Sequence, residues 1–302
     1  MGWNVSDMAA SVHQRLLNKA RATGRPFQEL LQHFAIERFL YRLSRTSHRD
    51  RFVLKGALML SVWGGPAWRP TRDIDLLGSI ENVPDAVAEA MRDACSARAP
   101  DDGMSFDPDS VRALRITDDA EYEGVRVSAE GRLGHARVSL QIDVGIGDVV
   151  VPAPTEVSYP TLLDFPAPTL SGYSMESLVA EKLQAMLRFG ALNSRTKDFY
   201  DIWSLSRSFD FEGITLAEAI ARTLERRTTR PIPGAAVFSP EFASDGERQT
   251  RWNGFIEKAD LKGAPESFAE VAEAISRFLR PIVVALAEGK PFRGQWKAGR
   301  GW

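Results

Sequence analysis

Asp73 and Asp75 stand two residues apart in Arg69-Pro70-Thr71-Arg72-Asp73-Ile74-Asp75-Leu76. Residues i and i+2 of a strand point to one face. A short strand over Ile74, Leu76 and Leu77 would therefore set two carboxylates side by side. Two like charges that close are unfavourable unless a cation lies between them. Mg2+ (or Mn2+) suits hard oxygen donors of this kind, with substrate phosphates completing its shell. A solvated strand end with two harmless acids has the same spacing. Lys55-Gly56-Ala57 precedes the pair, with fifteen residues between Ala57 and Asp73. Glycine lets backbone approach a phosphate closely, and a helix begun at Ala57 would turn its N-terminus toward an anion; an ordinary helix start reads the same way. Asp143, 68 residues after Asp75, would add a third carboxylate from an adjacent strand, or else be a strand-end acid in a turn. Together the three features point to two-metal phosphoryl transfer, with metals roughly 3.5–4 Å apart bridging the attacking and leaving oxygens.

A second set lies further on. In Ser174-Met175-Glu176-Ser177-Leu178-Val179-Ala180-Glu181-Lys182-Leu183-Gln184-Ala185-Met186, an apolar stripe runs through 175, 178, 179, 183 and 186. Lys182 lies in or beside it, so its ammonium is directed toward protein or a ligand. It would bind a triphosphate as a point charge, or snorkel from the stripe edge. Asp198 and Asp201 follow, three apart and so on one helix face. Asp198 either serves the helix dipole or orients Lys182.

The elements that must hold these residues are legible in part. Residues 6–46 read as two helices, the first capped by Ser6–Asp7 and broken at Thr23-Gly24-Arg25-Pro26, the second starting near Pro26 and ending in a basic run from Arg38 to Arg51. Gly64-Gly65-Pro66 predicts a turn. Residues 82–97 read as an amphipathic helix and 98–110 as a polar loop. Val125 to Ala129 and Ala136 to Ile142 alternate as a hairpin around a turn at Glu130–Gly134. Five prolines over residues 152–170 predict an extended linker. Helices follow at about 174–190, 195–207, 214–226, 247–260 and 266–288, then a basic tail from Lys290 that is expected to be mobile.

Composition excludes several classes. Of 302 residues, 44% are apolar and 26% charged, so the chain is globular rather than disordered. The single cysteine, Cys95, permits no intrachain disulfide framework. The four histidines show no metal-ligand spacing, so zinc is not expected. No apolar run reaches the length of a membrane span, and no signal peptide is read at the N-terminus; a cytoplasmic protein is expected. The net charge of −2 does not announce a nucleic-acid binder in bulk, while local basic surfaces stay open.

The chain resembles the AbiEii/AbiGii family of nucleotidyltransferase toxins, the toxin halves of two-gene bacterial toxin–antitoxin systems used in phage defence and growth control. The resemblance rests on Arg38 to Ser44, Phe52 to Leu58, Arg69 to Leu76, Ile142 to Gly145, Gly147-Asp148, Ala180 to Met186 and Arg195 to Asp201, spanning about residues 10–206 in family order. It implies an α/β (α+β) fold with N-terminal helices over 1–50 packed on the core. A nucleotidyltransferase-type mixed-sheet core follows over 51–160, then a helical lobe over 171–302, with the site in the cleft between lobes. By resemblance, Asp73 and Asp75 are metal-binding carboxylates, Lys182 and Asp198 complete the catalytic set, and Asp143 fits the third metal-binding carboxylate of the wider superfamily. Lys55, Gly56 and Ala57 stand at the nucleotide-binding loop, where Ala57 replaces a hydroxyl residue and leaves backbone contacts. Arg69 and Arg72 would hold triphosphate or RNA phosphates. The implied reaction is Mg2+-dependent transfer of a nucleoside monophosphate from an NTP to an acceptor hydroxyl. The acceptor expected is an RNA, a tRNA 3′ end, contacted by the second helix and Arg222 to Arg230. A cognate antitoxin is the implied protein partner, and no membrane is. The rivals are transfer to a small molecule or protein hydroxyl, and a catalytically inactive module that binds NTP or a partner.

Overall fold

The computed structural model describes residues 8–64, 69–116 and 124–302. The Ser6–Asp7 cap and the Gly65-Pro66 part of the predicted turn lie outside the described residues. The chain divides into two compact units, one of Met1–Val62, Pro70–Gly147 and Thr155–Gly172, the other of Trp63–Arg69, Asp148–Pro154 and Tyr173–Trp302.

The first unit begins with α1 (Met8–Thr23), which buries Val12, Leu16 and Ala20 at four-residue spacing. Helix α2 (Phe27–Leu43) follows Pro26, as its fixed φ favours. β1 (Phe52–Lys55), the short α3 (Leu58–Trp63), β2 (Asp73–Gly78) and α4 (Pro84–Ser96) come next. Then come β3 (Met104–Ile116), β4 (Gly124–Leu133), β5 (Ala136–Ile146), β6 (Thr155–Ser158) and β7 (Thr169–Gly172). These strands form one seven-stranded sheet in the order β3-β4-β5-β2-β1-β7-β6. It is mixed: β2 runs parallel to β5 and β1 parallel to β7, and the other pairs are antiparallel. Ile74, Leu76, Val125, Val127, Leu140, Ile142 and Val144 are buried on one face of this sheet, where α2 and α4 pack.

Three local expectations are corrected. Residues 98–110 are not wholly loop, because β3 starts at Met104. Met104 and Phe106 alternate into the core, and Pro108 falls in the register shift between Asp107 and Arg112 on an edge strand, where a missing N–H costs no ladder bond. The hairpin turn is only Gly134-His135. Gly131 is a strand residue whose absent side chain makes room for Phe106: a Cβ there would lie 2.9 Å from the ring. Residues 152–170 are not an open linker, since β6 and β7 join the sheet. The intervening chain is strapped to α2. Leu162 N–H donates to Glu37 Oε2 at 2.8 Å, Arg38 Nη2 donates to the Pro166 carbonyl at 2.8 Å, and the Phe34 and Phe165 rings lie 5.7 Å apart.

The second unit is mainly helical, with α5 (Met175–Phe189), α6 (Thr196–Ser208), β8 (Phe211–Glu212), α7 (Gly213–Arg226), α8 (Pro240–Ala243), α9 (Gly246–Lys258), α10 (Phe268–Ala287) and β9 (Gln295–Trp296). Ser174 caps α5 by accepting from Ser177 N–H. Its core is aromatic: Phe199, Tyr200, Trp252 and Phe268 are buried together between α6, α9 and α10. The basic tail is packed rather than mobile. β9 pairs with β8, Trp296 donates its indole N–H to the Ser206 carbonyl at 2.7 Å, and Trp302 donates to the Phe278 carbonyl at 2.9 Å. Aromatic area outweighs the tail's like charges, and Lys297 is met by Asp210 at 2.9 Å. No helix among the described residues is long and apolar enough to cross a membrane.

Glu37 supplies a test of the strap. Burial pushes its carboxyl from the ordinary 4.5 up to about 7, against the opposing pull of Arg38. Over that interval the folded chain holds a proton the unfolded chain has lost, so this group's contribution to stability falls as pH rises. Glu37→Gln should remove that slope. Denaturant melts should show the variant gaining roughly 2–3 kcal/mol on the parent between pH of about 5 and 7.5; a constant difference would refute the assignment.

Candidate active site

The first unit gathers one group of predicted residues on β1, β2 and β5. Asp73 and Asp75 lie on β2 as half-buried residues that alternate with buried Ile74 and Leu76, so both carboxylates share the face opposite the α2/α4 core. Across the sheet one row runs Lys55, Asp75, Asp143, Arg126: Lys55 pairs with Asp75, Asp75 with Asp143 and Asp143 with Arg126. Lys55 is buried at the end of β1. Gly56 takes φ +69, and a Cβ there would stand 2.0 Å from Asp75 Oδ2. Both facts demand glycine, since the left-handed backbone disfavours side chains and the Asp75 carboxylate occupies the space. Ala57 follows at the entry to α3, a helix of six residues. So short a helix sums little dipole, and the part of Gly56 is to make room for Asp75.

Asp143 stands beside Asp75, as the adjacent-strand reading required. Its two oxygens, however, accept from Arg126 Nε and Nη2 at 2.8 and 2.7 Å. Among the described residues no group of three or more His, Cys, Asp or Glu side chains is gathered as a metal cage. Arg72 is exposed, and its carbonyl accepts from Gln32 Nε2 at 3.3 Å.

The second unit gathers the other group. Lys182 on α5 donates to Asp198 Oδ1 at 2.5 Å and lies 2.9 Å from Asp201 Oδ2. Arg195 pairs with the second oxygen of Asp198. Arg69 makes a bidentate bond to Asp201, 2.6 and 2.7 Å. Asp198 and Asp201 present one face of α6 toward these cations. Burial disfavours each charge, yet the partners win. The two aspartates hold the Lys182 ammonium above its ordinary range, and Lys182 and Arg195 hold Asp198 below its own. Asp201, despite burial, is drawn down to about 2 by Arg69 and Lys182. Of these five groups three are cationic and two anionic.

Sequence reasoning placed Lys182 with Asp198 correctly but left Asp201 without a role and set Arg69 beside the Asp73 pair. The i, i+3 spacing was the available signal for Asp201. A further cluster escaped it: Arg227 Nη2 lies 3.0 Å from Asp148 and 3.3 Å from Glu181, and the Tyr173 hydroxyl donates to Glu181 at 2.6 Å. Arg227 is thereby committed within the protein, as are Arg38 to Glu37 and Arg42 to Asp102. Each of the three is already paired with an acid of the protein.

The profile of the nucleotidyl transferase AbiEii toxin, type IV toxin–antitoxin system, matches residues 38–274. The chain belongs to the AbiEii family. Both clusters fall inside the matched span. Similar solved structures are one described as a nucleotidyltransferase from H. pylori, 14% identical over 94% of this chain and 97% of that one with a TM-score of 0.43, and JHP933 from Helicobacter pylori, 13% identical over 95% and 94% with a TM-score of 0.42. No protein of curated function matches the chain. Within this family of nucleotidyltransferase toxins, the donor set of the first unit suits a hard divalent cation: two half-buried carboxylates on one face, one resting where Gly56 leaves room.

Two outcomes follow. Gly56→Ala should displace Asp75, cutting turnover by at least tenfold while calorimetry shows only a modest loss of stability from the strained backbone. Asp201→Ala should destabilise by about 3–5 kcal/mol, because it strands buried Arg69 and Lys182. The parent's contribution from Asp201 is present above about pH 3.8 and is lost as pH falls through about 2. That from Lys182 is complete below 10.5 and is lost as pH rises beyond its raised value. Acid melts of the Asp201→Ala variant should therefore narrow its gap to the parent by roughly 2 kcal/mol as pH falls to about 2.

Proposed function

We propose that this chain transfers a nucleoside monophosphate from an NTP to an acceptor hydroxyl of RNA, a tRNA 3′ end. The observation that carries the reading is the same-face pair Asp73 and Asp75, with Asp75 seated against Gly56. Mg2+ (or Mn2+) would be held by these two carboxylates and would supply charge neutralisation at the transferred phosphoryl group. Asp143 keeps a positioning part, its charge met by Arg126.

In the reaction the acceptor oxygen bonds to the α-phosphorus, the bond from that phosphorus to the departing pyrophosphate breaks, and the hydroxyl proton passes to solvent. Lys182 steadies triphosphate oxygens as a fixed cation. It cannot act as a general base near neutrality, because Asp198 and Asp201 hold it charged. Arg195, with its side chain 44% exposed, is the member of the second cluster best placed to meet a substrate anion. The toxin's effect would follow from blocking a shared RNA end, with the antitoxin opposing it.

The test uses the purified chain, total bacterial RNA, Mg2+ and each α-32P-labelled NTP in turn. Label should enter small RNA from one NTP above the others. Asp73→Asn should lose at least a hundredfold of this activity with its melting temperature unchanged, since Asp73 is half-exposed. Lys182→Ala should lose activity too, with a lower melting temperature. Label on protein or on a small molecule instead of RNA would reject the acceptor assigned here. NTP binding without any turnover would reject catalysis in favour of a binding module.

A further inference from the structure

The β3–β4–β5 ribbon of the first unit buries one face and leaves the other open. On the open face β4 carries exposed Arg126, Ser128, Glu130 and Arg132, and β5 carries exposed Arg137 and Ser139 and then Gln141 and Asp143. Gln141 and Asp143 are in register with Asp73 and Asp75. The open face is therefore continuous with the face that bears the carboxylate pair.

Arg132 and Arg137 are direct cross-strand partners beside the Gly134-His135 turn, and both are exposed. Neither forms an ion pair or a side-chain hydrogen bond among the described residues. Like charges directly opposite on an antiparallel pair are destabilising. Glu130 faces Ser139 in the neighbouring row, with Asp107 beyond it on β3, and neither acid bonds the two arginines. Elsewhere in the unit Arg38, Arg42 and Arg126 are each met by a carboxylate. An opposed pair of arginine forks facing water is a preformed phosphate receptor.

We infer that Arg132 and Arg137 clamp a backbone phosphate of the acceptor RNA, and that the open face between them and Asp73 is the track this strand follows. The inference rests on the RNA reading above. From the Gln141 row to the Arg137 row is four residues of β5, about 13 Å at about 3.3 Å per residue. The clamped phosphate thus lies a few nucleotides from the reacting end. Ser128, Ser139 and Gln141 line the way with neutral hydrogen-bonding groups, and exposed Glu130, opposite Ser139, borders it with one carboxylate. Such contacts position a strand without reading its sequence.

The test measures binding of a fluorescein-labelled RNA oligonucleotide to the full chain by anisotropy across a salt series. Arg132→Ala/Arg137→Ala should bind roughly tenfold more weakly near about 150 mM salt, with the slope of log K against log salt reduced by about 0.7 for one lost single-strand phosphate contact. Its melting temperature should not fall, since charge repulsion is relieved, and KM for the NTP should not change. Arg132→Lys/Arg137→Lys should recover most of the salt slope. Unchanged affinity and slope in the alanine variant would overturn the clamp, and continued labelling of RNA by that variant would leave the transfer reading standing. If the unaltered chain fails to bind RNA, both are overturned.

Discussion

A carboxylate taken wholly out of water must be met on both oxygens, and Asp201 is such a group. Arg69 grips it in a bidentate fork and Lys182 approaches from α5. Lys182 in turn reaches Asp198, whose other oxygen is held by Arg195. Desolvating an ion costs several kcal/mol, and a buried pair usually returns little net stability over a well-packed apolar substitute. The five-member network is thus a poor way to hold α5 against α6 if stability alone is at stake. What it does provide is a lysine fixed in place and fixed in charge, which an apolar core cannot supply.

The first unit handles charge in the opposite manner. Its row of Lys55, Asp75, Asp143 and Arg126 alternates no further than plus, minus, minus, plus. Two carboxylates two residues apart on one strand, about 6.6 Å by strand rise, repel by roughly 2–3 kcal/mol at an effective dielectric constant of about 20. Water moderates this at the half-buried Asp73 and Asp75. Arg126 removes Asp143 from the contest by taking both its oxygens. Asp73 and Asp75 keep half-exposed places on the same face of β2. Gly56 shows the cost of keeping that arrangement: a strained backbone and a missing side chain, both so that Asp75 can stand where it does.

Much of the fold was legible because periodicity is local. The apolar stripes of α1, α2, α5, α6, α7, α9 and α10 appear within single windows, and so does the alternation of β4 and β5. The misreadings share a physical cause. Pro108 and the prolines of 152–170 read as breakers in sequence, yet Pro108 falls in a register shift of an edge strand and β6 and β7 form within 152–170. Gly131 reads as a turn residue in sequence, yet it answers Phe106 on the neighbouring strand. The tail was read from its charge, while Trp296 and Trp302 decide its packing. At the site, the Asp73/Asp75 pair and the Lys182–Asp198 partnership were written in short-range spacing. Arg69 with Asp201 and Arg227 with Asp148 were not, because partners 132 and 79 residues apart leave no spacing to read.

Counting basic residues along the chain therefore misleads about nucleic acid. Arg38, Arg42, Arg69 and Arg227 sit in basic stretches of the sequence, but each is buried or nearly so and bonded to an acid. Releasing any of them to meet a phosphate would strip a buried carboxylate of a partner, at up to about 3–5 kcal/mol. A single phosphate contact returns less than that at physiological salt. Arg132 and Arg137 carry no such debt, since they are solvated and already repel one another. The exchange of solvent for a phosphate is favourable only at cations of this second kind, so a surface able to meet phosphates is defined by which charges the fold has left unmet rather than by where charge is dense in the sequence.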